Sequence, residues 1–415
     1  MQVAVAPDLP VAVDARDEPN VPGAVAPSRC TTLDGDRSAT LSQLGAPGNL
    51  SSLVWNGVDY AFTWVALESR SPGLFGLYFG RADREGALVP GSIHRVFAAD
   101  RHQTRGALAV GDGGYGLAYL DLPPDGLTVG IRARFARLDA GGALIPGSDR
   151  ALSEQHTPQL AIAIAYSPPL RQWAVAWQGH VPLGGGAVET HAYLTRVGAS
   201  CDVLAPDAVL LDALRSTTEP YLAPSLVWAR DRYAIALTEY VEIPNTRVSI
   251  AEVDPAAAAV TRRIVLREGG RPLRVALATD GAMYGAAWMQ LGLDGPAANA
   301  VWFRRAAVGG DALGEAVALA PGRGSGEPGV LFDGDTFRVA YDVGGADGGV
   351  WRARISRDGT IVGTPGRRFA GAPPYSTFPL PASDGCNDAI GWTAVSGDAP
   401  QTASMRLHLR AAAAD

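Results

Sequence analysis

Polar residues that can hold or transform a ligand lie immediately before a series of short apolar stretches in this chain. They carry guanidinium, imidazole, amide, carboxylate and phenol groups, which together can bind an anionic or sugar ligand through hydrogen bonds and ion pairs. The candidate ligand-binding residues are His102, Gln103, Arg105, His156, Glu219, Tyr221, Arg274, Glu327 and Tyr375. The alternative interpretation is that these are ordinary polar residues on a solvated loop surface.

Two kinds of catalysis are compatible with these residue types. Glu219 and Glu327 could be the paired carboxylates of a glycoside hydrolase if the fold brings them to a suitable separation. The histidine, tyrosine and arginine side chains could instead provide the acid and base of a polysaccharide lyase. The sequence contains no Gly-x-Ser-x-Gly motif or Walker loop, so neither motif supplies a catalytic constellation.

Metal ions and nucleic acids are disfavoured as partners. His102, His156 and His180 are candidate metal ligands, but no closely spaced pair such as His-x-His occurs, and we predict neither a metal nor a cofactor. A net charge of −7 and a pI near 5.4 argue against a nucleic-acid partner, since phosphate binding requires a basic surface. No apolar run approaches the roughly 18 residues that cross a bilayer, so we predict no membrane span.

A five-residue pattern that recurs seven times must position these polar residues. The last residues of successive copies lie 55, 58, 60, 51, 53 and 51 residues apart, and this period is typical of β-propeller blades. We therefore predict that this 415-residue chain forms one domain. The copies are YAFTW at 60–64, YGLAY at 115–119, WAVAW at 173–177, YAIAL at 233–237, YGAAW at 284–288, FRVAY at 337–341 and DAIGW at 388–392.

Large and small side chains alternate within each copy of the pattern. Period-two alternation places the large residues on one face of a strand and the small residues on the other, so that neighbouring sheets can pack bulky face against flat face. Arg338 departs from the small class in the sixth copy, and Asp388 replaces the leading aromatic residue in the seventh.

Flanking segments complete each blade of a predicted all-β, seven-bladed propeller with four antiparallel strands per blade. An apolar innermost strand precedes the pattern through a tight turn such as Asn56-Gly57, and a third strand and a fourth strand follow it. The seventh unit lacks a fourth strand, and residues 38–43 resemble one, so we predict that this N-terminal strand closes the ring. The propeller spans 30–410, with blades at about 51–98, 106–153, 159–211, 223–266, 274–319, 328–369 and 377–410 plus 38–43, and a tail at 411–415.

The units resemble a repeat of bacterial secreted and surface proteins, approximately P-x-hydrophobic-x-W-x-G-x-x-Y-hydrophobic-V-x-W followed by R-hydrophobic-D-x-x-G-x-hydrophobic. The match is best at 53–64 and 137–144, and it weakens over the rest of 38–410. Members of that family are β-propellers, mostly of unassigned function, so the resemblance implies the fold and export but no catalytic residues. The long third unit and the aromatic-poor seventh unit depart from the pattern.

The N-terminal segment bears on localisation. Residues 1–29 carry five prolines among Ala, Val and Asp, which is typical of an extended tether, and they lack the features of a secretory signal. We expect an exported monomer, periplasmic, cell-surface or extracellular, whose signal is not part of this chain; the alternative is a cytoplasmic protein with a loose tail. Of three cysteines, Cys30 and Cys386 would be brought together by ring closure, so they either form a disulfide or remain thiols like Cys201.

Two functions remain open on the sequence alone. The first is a non-catalytic binding or scaffold propeller that recognises a glycan, a peptide or a protein through the face that carries the longer second-to-third and fourth-to-first connections. The second is a carbohydrate-active enzyme, a polysaccharide lyase or glycoside hydrolase, with its site in the central mouth.

Overall fold

The computed structural model describes most of the chain. Every regular element in its described residues is a β-strand, and none of these residues forms a helix suited to crossing a membrane. The predicted tether at 1–29 lies outside the described residues. The described residues are 37–41, 48–70, 73–122, 131–152, 157–184, 187–205, 209–216, 224–242, 245–292, 299–319, 325–344, 348–369, 376–395 and 403–411.

The described strands form seven sheets, each of four antiparallel strands, and this arrangement is the predicted seven-bladed β-propeller. In blades 1 to 4 the strands follow one another in chain order from the first to the fourth. These blades are β2 (Gly48–Trp55), β3 (Tyr60–Arg70), β4 (Gly73–Ala82) and β5 (His94–Arg95); β6 (His102–Gly111), β7 (Gly114–Leu122), β8 (Arg132–Leu138) and β9 (Arg150–Ala151); β10 (Thr157–Ser167), β11 (Gln172–Gly184), β12 (Ala187–Val197) and β13 (Val209–Ser216); and β14 (Ser225–Ala229), β15 (Arg232–Glu242), β16 (Asn245–Asp254) and β17 (Ala259–Glu268).

Blade 7 takes its fourth strand from the other end of the chain, as predicted. β1 (Arg37–Thr40) pairs antiparallel with the last strand, so that Arg37 lies opposite Leu409 and Thr40 opposite Arg406. The remaining strands are β18 (Pro272–Thr279), β19 (Met283–Gln290), β20 (Ala300–Ala307) and β21 (Ala312–Ala318) of blade 5; β22 (Ser325–Phe332), β23 (Thr336–Val343), β24 (Gly349–Ser356) and β25 (Ile361–Arg368) of blade 6; and β26 (Ser376–Ser383), β27 (Asn387–Val395) and β28 (Ala403–Ala411) of blade 7.

The first strand of every blade belongs to an inner ring. Each first strand contacts the first strand of the next blade, from β2 through β6, β10, β14, β18 and β22 to β26, and β26 contacts β2 again. The ring is therefore closed around a centre lined by first strands, and the closure at blade 7 removes a free sheet edge.

The packing between blades follows the large-and-small alternation of the repeated pattern. The residue in the second position of one copy lies beside the residue in the first position of the next copy. A Cβ atom on Gly116 would be 2.4 Å from Trp173 Nε1, and one on Gly285 would be 2.4 Å from Phe337 Cδ1, so these aromatic rings need a flat surface opposite them. In four further interfaces the two residues share one buried cluster, namely Ala61 with Tyr115, Ala174 with Tyr233, Ala234 with Tyr284, and Ala389 with Tyr60.

The seventh interface replaces this apolar pair with an ion pair. Arg338 occupies the second position in blade 6 and Asp388 the first position in blade 7, and Arg338 Nη1 donates to Asp388 Oδ2 over 2.6 Å. Both side chains are buried, and Arg338 also contacts Asp333 in the turn before β23. The two departures from the repeated pattern thus compensate each other across one interface.

Three blades project beyond the others on the face that was expected to carry long loops. The second and third strands have 11 and 10 residues in blade 1, 13 and 11 residues in blade 3, and 11 and 10 residues in blade 4. In blade 6 these two strands have 8 residues each. At about 3.3 Å per residue the extra pairs extend these hairpins by roughly 7–15 Å. The expectation of longer second-to-third loops is therefore wrong for these blades, because strand pairing continues into the segments assigned to loops.

The cysteines occur in both chemical states. Cys386 is disulfide-bonded, and Cys201 is a buried free thiol. Cys30, the partner predicted for Cys386, lies outside the described residues.

Replacing Arg338 should reveal how much blade 7 depends on this ion pair. We expect Arg338→Ala to lower the free energy of unfolding by about 3–5 kcal/mol, because Asp388 would keep a buried charge without its nearest partner. The double variant Arg338→Ala/Asp388→Tyr rebuilds the alanine–tyrosine pair of other interfaces and should recover most of the loss in urea unfolding experiments.

The matched control is Arg262→Ala, which breaks an exposed pair with Asp311 (2.7 Å) and should cost less than about 1 kcal/mol. A double variant no more stable than Arg338→Ala would contradict the compensation between Arg338 and Asp388.

Candidate functional site

Irregular pairing near the start of the innermost strands shapes the central mouth. In six blades the first strand contains one or more extra residues that have no direct partner on the second strand. Such β-bulges turn a side chain out of the regular alternation, and they are frequent beside functional sites. The bulges lie between Leu50 and Ser52, Gln103 and Arg105, Pro158 and Ile162, Leu273 and Val275, Ser325 and Pro328, and Thr377 and Leu380.

The bulged residues line two neighbouring cavities at the mouth. The larger cavity measures about 490 Å³ and the smaller about 160 Å³, and Glu327 belongs to both. Bulged residues in these linings are Ser51, Thr104, Arg274, Gly326, Glu327 and Pro379. The rest of the linings is mostly apolar and includes Leu50, Leu273, Met289, Pro328 and Leu380. The bulges therefore direct polar side chains into a partly apolar pocket.

Glu327 is the central charged group of this pocket. Its Oε1 atom lies 2.7 Å from Arg274 Nε of blade 5. Burial raises the pKa of Glu327, while the positive charges of Arg274 and of Arg105 from blade 2 act in the opposite direction. Arg274 has a backbone φ of 44°, a positive value that is uncommon for residues other than glycine. Strain of this kind is often tolerated where it positions a functional group.

Asp342 is the second carboxyl group of the pocket. It follows the sixth repeated pattern, and the bulge at Gly326 and Glu327 lies directly across from it, between the pairs Ser325–Val343 and Pro328–Tyr341. A Cβ atom at position 326 would lie 2.3 Å from Asp342 Oδ2, so the carboxyl group occupies the space that glycine leaves.

The environment of Asp342 favours its protonated form. Its Oδ1 atom is buried and has no hydrogen-bond partner within the described part of the chain. Burial, and then the negative charge of Glu327, raise the pKa of Asp342 to about 7. The pocket thus combines a carboxyl group that can donate a proton near neutral pH with a carboxylate that an arginine holds in place.

The structure brings together three of the predicted ligand-binding residues. Arg105, Arg274 and Glu327 come from blades 2, 5 and 6, and all three line the mouth. His156, Glu219, Tyr221 and Tyr375 lie outside the described residues.

His102 and Gln103 lie at the seam between blades 1 and 2. Gln103 is fully buried, and its Oε1 atom accepts a hydrogen bond from the backbone N–H of Leu77 (3.3 Å) in β4. His102 is also buried, with its Nδ1 atom 3.8 Å from Glu68 Oε2. These contacts join the two blades. Among the described residues no group of three or more His, Cys, Asp or Glu side chains is arranged to hold a metal ion.

Sequence reasoning missed Asp342. Its signal was weak, since it is simply the residue after the fifth position of a repeated pattern, where the other copies carry Val65, Leu120, Gln178, Thr238, Met289 and Thr393. An acidic residue at this otherwise uncharged position was the available clue.

Comparison with known proteins supports the fold. No known family model matches the chain, and no curated protein matches it, so the resemblance to bacterial repeat proteins stays a prediction. Among solved structures, phage phi92 endosialidase is similar with a TM-score of 0.54 and 6% identity, over 91% of this chain and 69% of that one. A protein of unknown function from Dyadobacter fermentans DSM 18053 has a TM-score of 0.50 and 11% identity, over 75% of this chain and 96% of that one.

A further solved structure of similar fold is a puromycin-hydrolyzing peptidase from Mycobacterium tuberculosis. It has a TM-score of 0.50 and 14% identity, over 86% of this chain and 51% of that one. At such identities the three likenesses concern the β-propeller fold alone.

The titration of Asp342 should make stability depend on pH. The folded protein keeps a proton that the unfolded chain loses near pH 4, because the pKa of Asp342 is raised to about 7. The contribution of this group to stability is therefore full below about pH 4 and falls as pH rises to about 7, by up to about 1.4 kcal/mol per pH unit. Asp342→Asn should flatten this part of the profile.

Urea unfolding at half-unit steps from pH 4.5 to 8 would measure the difference between the two profiles. Asp335→Asn removes one carboxyl group from an exposed turn and serves as the control for the loss of a charge. Superimposable profiles for the wild type and Asp342→Asn would rule out a raised pKa at this position.

Proposed function

We propose that this chain is a glycan-binding propeller and that the sugar occupies its central mouth. The convergence of Arg105, Arg274, Glu327 and Asp342 on two adjoining cavities that share Glu327 carries this proposal. Sugar hydroxyl groups donate and accept hydrogen bonds, and this set offers both kinds of partner: guanidinium groups donate, a carboxylate accepts, and a protonated carboxyl group does both.

The remaining lining suits the same ligand class. Apolar side chains such as Leu273, Met289 and Pro328 give the mouth surfaces that can cover the C–H faces of a sugar ring. A pocket of about 490 Å³ lies in the size range of sites for small ligands. The longer hairpins of blades 1, 3 and 4 stand on the same face and would border a ligand that extends beyond the pocket.

Export is part of the proposal. The disulfide of Cys386 supports it, because disulfides persist in oxidising compartments and are rare in the cytosol of most organisms. A glycan ligand would be met at the cell surface, in the periplasm or outside the cell.

A glycan array followed by calorimetric titration of the bound glycans would test the proposed function. Glu327→Gln and Arg274→Gln should each weaken binding about tenfold or more, since a hydrogen bond to a charged group is worth about 1.5–3 kcal/mol. Arg262→Gln, on the exposed pair with Asp311, is the matched control and should bind like the wild type.

The proposal fails if the wild type binds no glycan, or if both mouth variants bind with unchanged affinity. Binding to a peptide array in place of the glycan array would point to a peptide or protein ligand.

Glycoside hydrolysis is the second candidate, and the paired carboxyl groups favour it. Asp342, protonated near neutral pH, would give its proton to the glycosidic oxygen as the bond to the anomeric carbon breaks. Glu327, held as a carboxylate beside Arg274, would take a proton from the water that attacks that carbon. One water molecule is consumed, and two hydroxyl-bearing fragments are released.

Measurement of new reducing ends from each bound glycan would separate binding from hydrolysis. If the protein is a hydrolase, Asp342→Asn should lose at least about a hundredfold in turnover, because general acid catalysis contributes about 10²–10⁴-fold, while it still binds the glycan. Wild-type protein that leaves every bound glycan intact would remove this candidate.

A further inference from the structure

Arg105 is the cation of the smaller mouth cavity. It is partly buried, and it is the positively charged residue among the described residues that line this space of about 160 Å³. The described part of the chain gives its guanidinium group neither a hydrogen bond nor an ion pair. The side chain is therefore available to a negatively charged group that enters the cavity.

Neutral hydrogen-bonding groups surround Arg105. Ser51 and Thr104 are the extra residues of the bulges in blades 1 and 2, and both line the smaller cavity together with Asn49. Hydroxyl and amide groups can donate hydrogen bonds to the oxygens of an anion. The cavity thus places further donors beside the guanidinium group.

Glu327, the acidic residue of the same lining, does not cancel the charge of Arg105. Its Oε1 atom lies 2.7 Å from Arg274 Nε, so its negative charge is compensated by an arginine of the larger cavity. An anionic group in the smaller cavity would meet this compensated pair and one additional positive charge, and the attraction to that charge is strengthened by partial burial.

We propose that the glycan bound at the mouth is acidic, and that Arg105 binds the carboxylate of a uronic-acid unit in the smaller cavity while the sugar ring occupies the larger one. This inference rests on the proposed glycan-binding function and names the class of glycan.

The sizes of the two cavities suit this division of the ligand. The smaller cavity has the volume of about five water molecules, which is enough for a carboxylate with some water. The larger cavity of about 490 Å³ lies in the size range of small-ligand sites. A sugar ring and its acidic substituent can therefore be held side by side, with Glu327 between them.

A carboxylate fits Arg105 better than a sulfate ester does. One guanidinium group offers two parallel N–H groups, which match the two oxygens of a planar carboxylate. A sulfate group has three free oxygens and would gain from a second cation, and Arg274 is engaged with Glu327.

Calorimetric titration of the full chain with uronic-acid trisaccharides and their carboxyl-reduced counterparts would test the proposal. The probes are trisaccharides of glucuronate, galacturonate and mannuronate, and each pair differs only in a carboxylate or a hydroxymethyl group. At least one uronate should bind about tenfold or more tightly than its reduced counterpart, because reduction replaces a charge-assisted hydrogen bond with a neutral one.

Arg105→Gln is the informative variant. It should weaken binding of that uronate about tenfold and leave the affinity for the reduced counterpart nearly unchanged, whereas a merely structural role would weaken both ligands alike. Arg105→Lys keeps the charge without the paired N–H groups and should fall between Arg105→Gln and the wild type. Arg262→Gln, from the exposed pair with Asp311, is the control and should keep the wild-type preference.

Equal affinity for every uronate and its reduced counterpart would overturn this proposal and leave the glycan-binding function standing. An unchanged preference in Arg105→Gln, with a melting temperature like that of the wild type, would also overturn it. Tighter binding of a sulfated neutral trisaccharide than of every uronate would refute the carboxylate assignment. If none of the trisaccharides binds, the proposal fails, and the glycan array decides separately whether the broader function survives.

Discussion

The fit of a bulky residue on one blade against a small residue on the preceding blade is the interaction on which the structure depends. The first position of each repeated pattern is fully buried or nearly so, and it faces the second position of the copy before it. Burying a large apolar side chain contributes about 1.5–3 kcal/mol, and the contribution is lost if the surface opposite is not flat. The same packing of a small residue against a bulky one joins blade 7 to blade 1 through Ala389 and Tyr60. It therefore closes the ring as well as joining neighbouring blades.

This packing fixes the second strands and leaves the starts of the first strands free to vary. Bulges occur there in six blades, where strand pairing meets the mouth, and each adds a residue whose side chain does not belong to the packed faces. Glu327 and Arg274 are such residues, and a rigid ring holds them in register with each other. A scaffold that tolerates extra residues at one end of its innermost strands can thus acquire a polar pocket without loss of its core.

Blade 6 illustrates how a departure from the repeat changes the local chemistry. Arg338 in place of a small residue is compatible with the fold because Asp388 replaces the aromatic ring opposite. The interface becomes polar, Arg352 and Arg354 lie on the neighbouring strand β24, and the pairing of β25 with β24 is irregular beside them. A buried ion pair adds little stability compared with an apolar pair, but removal of one partner leaves an uncompensated charge, so the two residues depend on each other.

The sequence by itself determined the blade count, the alternation within each second strand, and the closure by an N-terminal strand. These features depend on local spacing, since period-two alternation and a repeat of 51–60 residues can be read without knowing which strands pair. It also identified Arg105, Arg274 and Glu327 as mouth residues, because segments that enter innermost strands meet at the centre of any propeller. Only the tertiary structure decided that Gln103 joins two blades, that the hairpins of three blades extend, and that Asp342 lies across a bulge from Glu327. Each of these depends on strand register, and register is set by turn geometry and by the hydrophobic patterns of two paired segments together, so no single stretch of sequence encodes it.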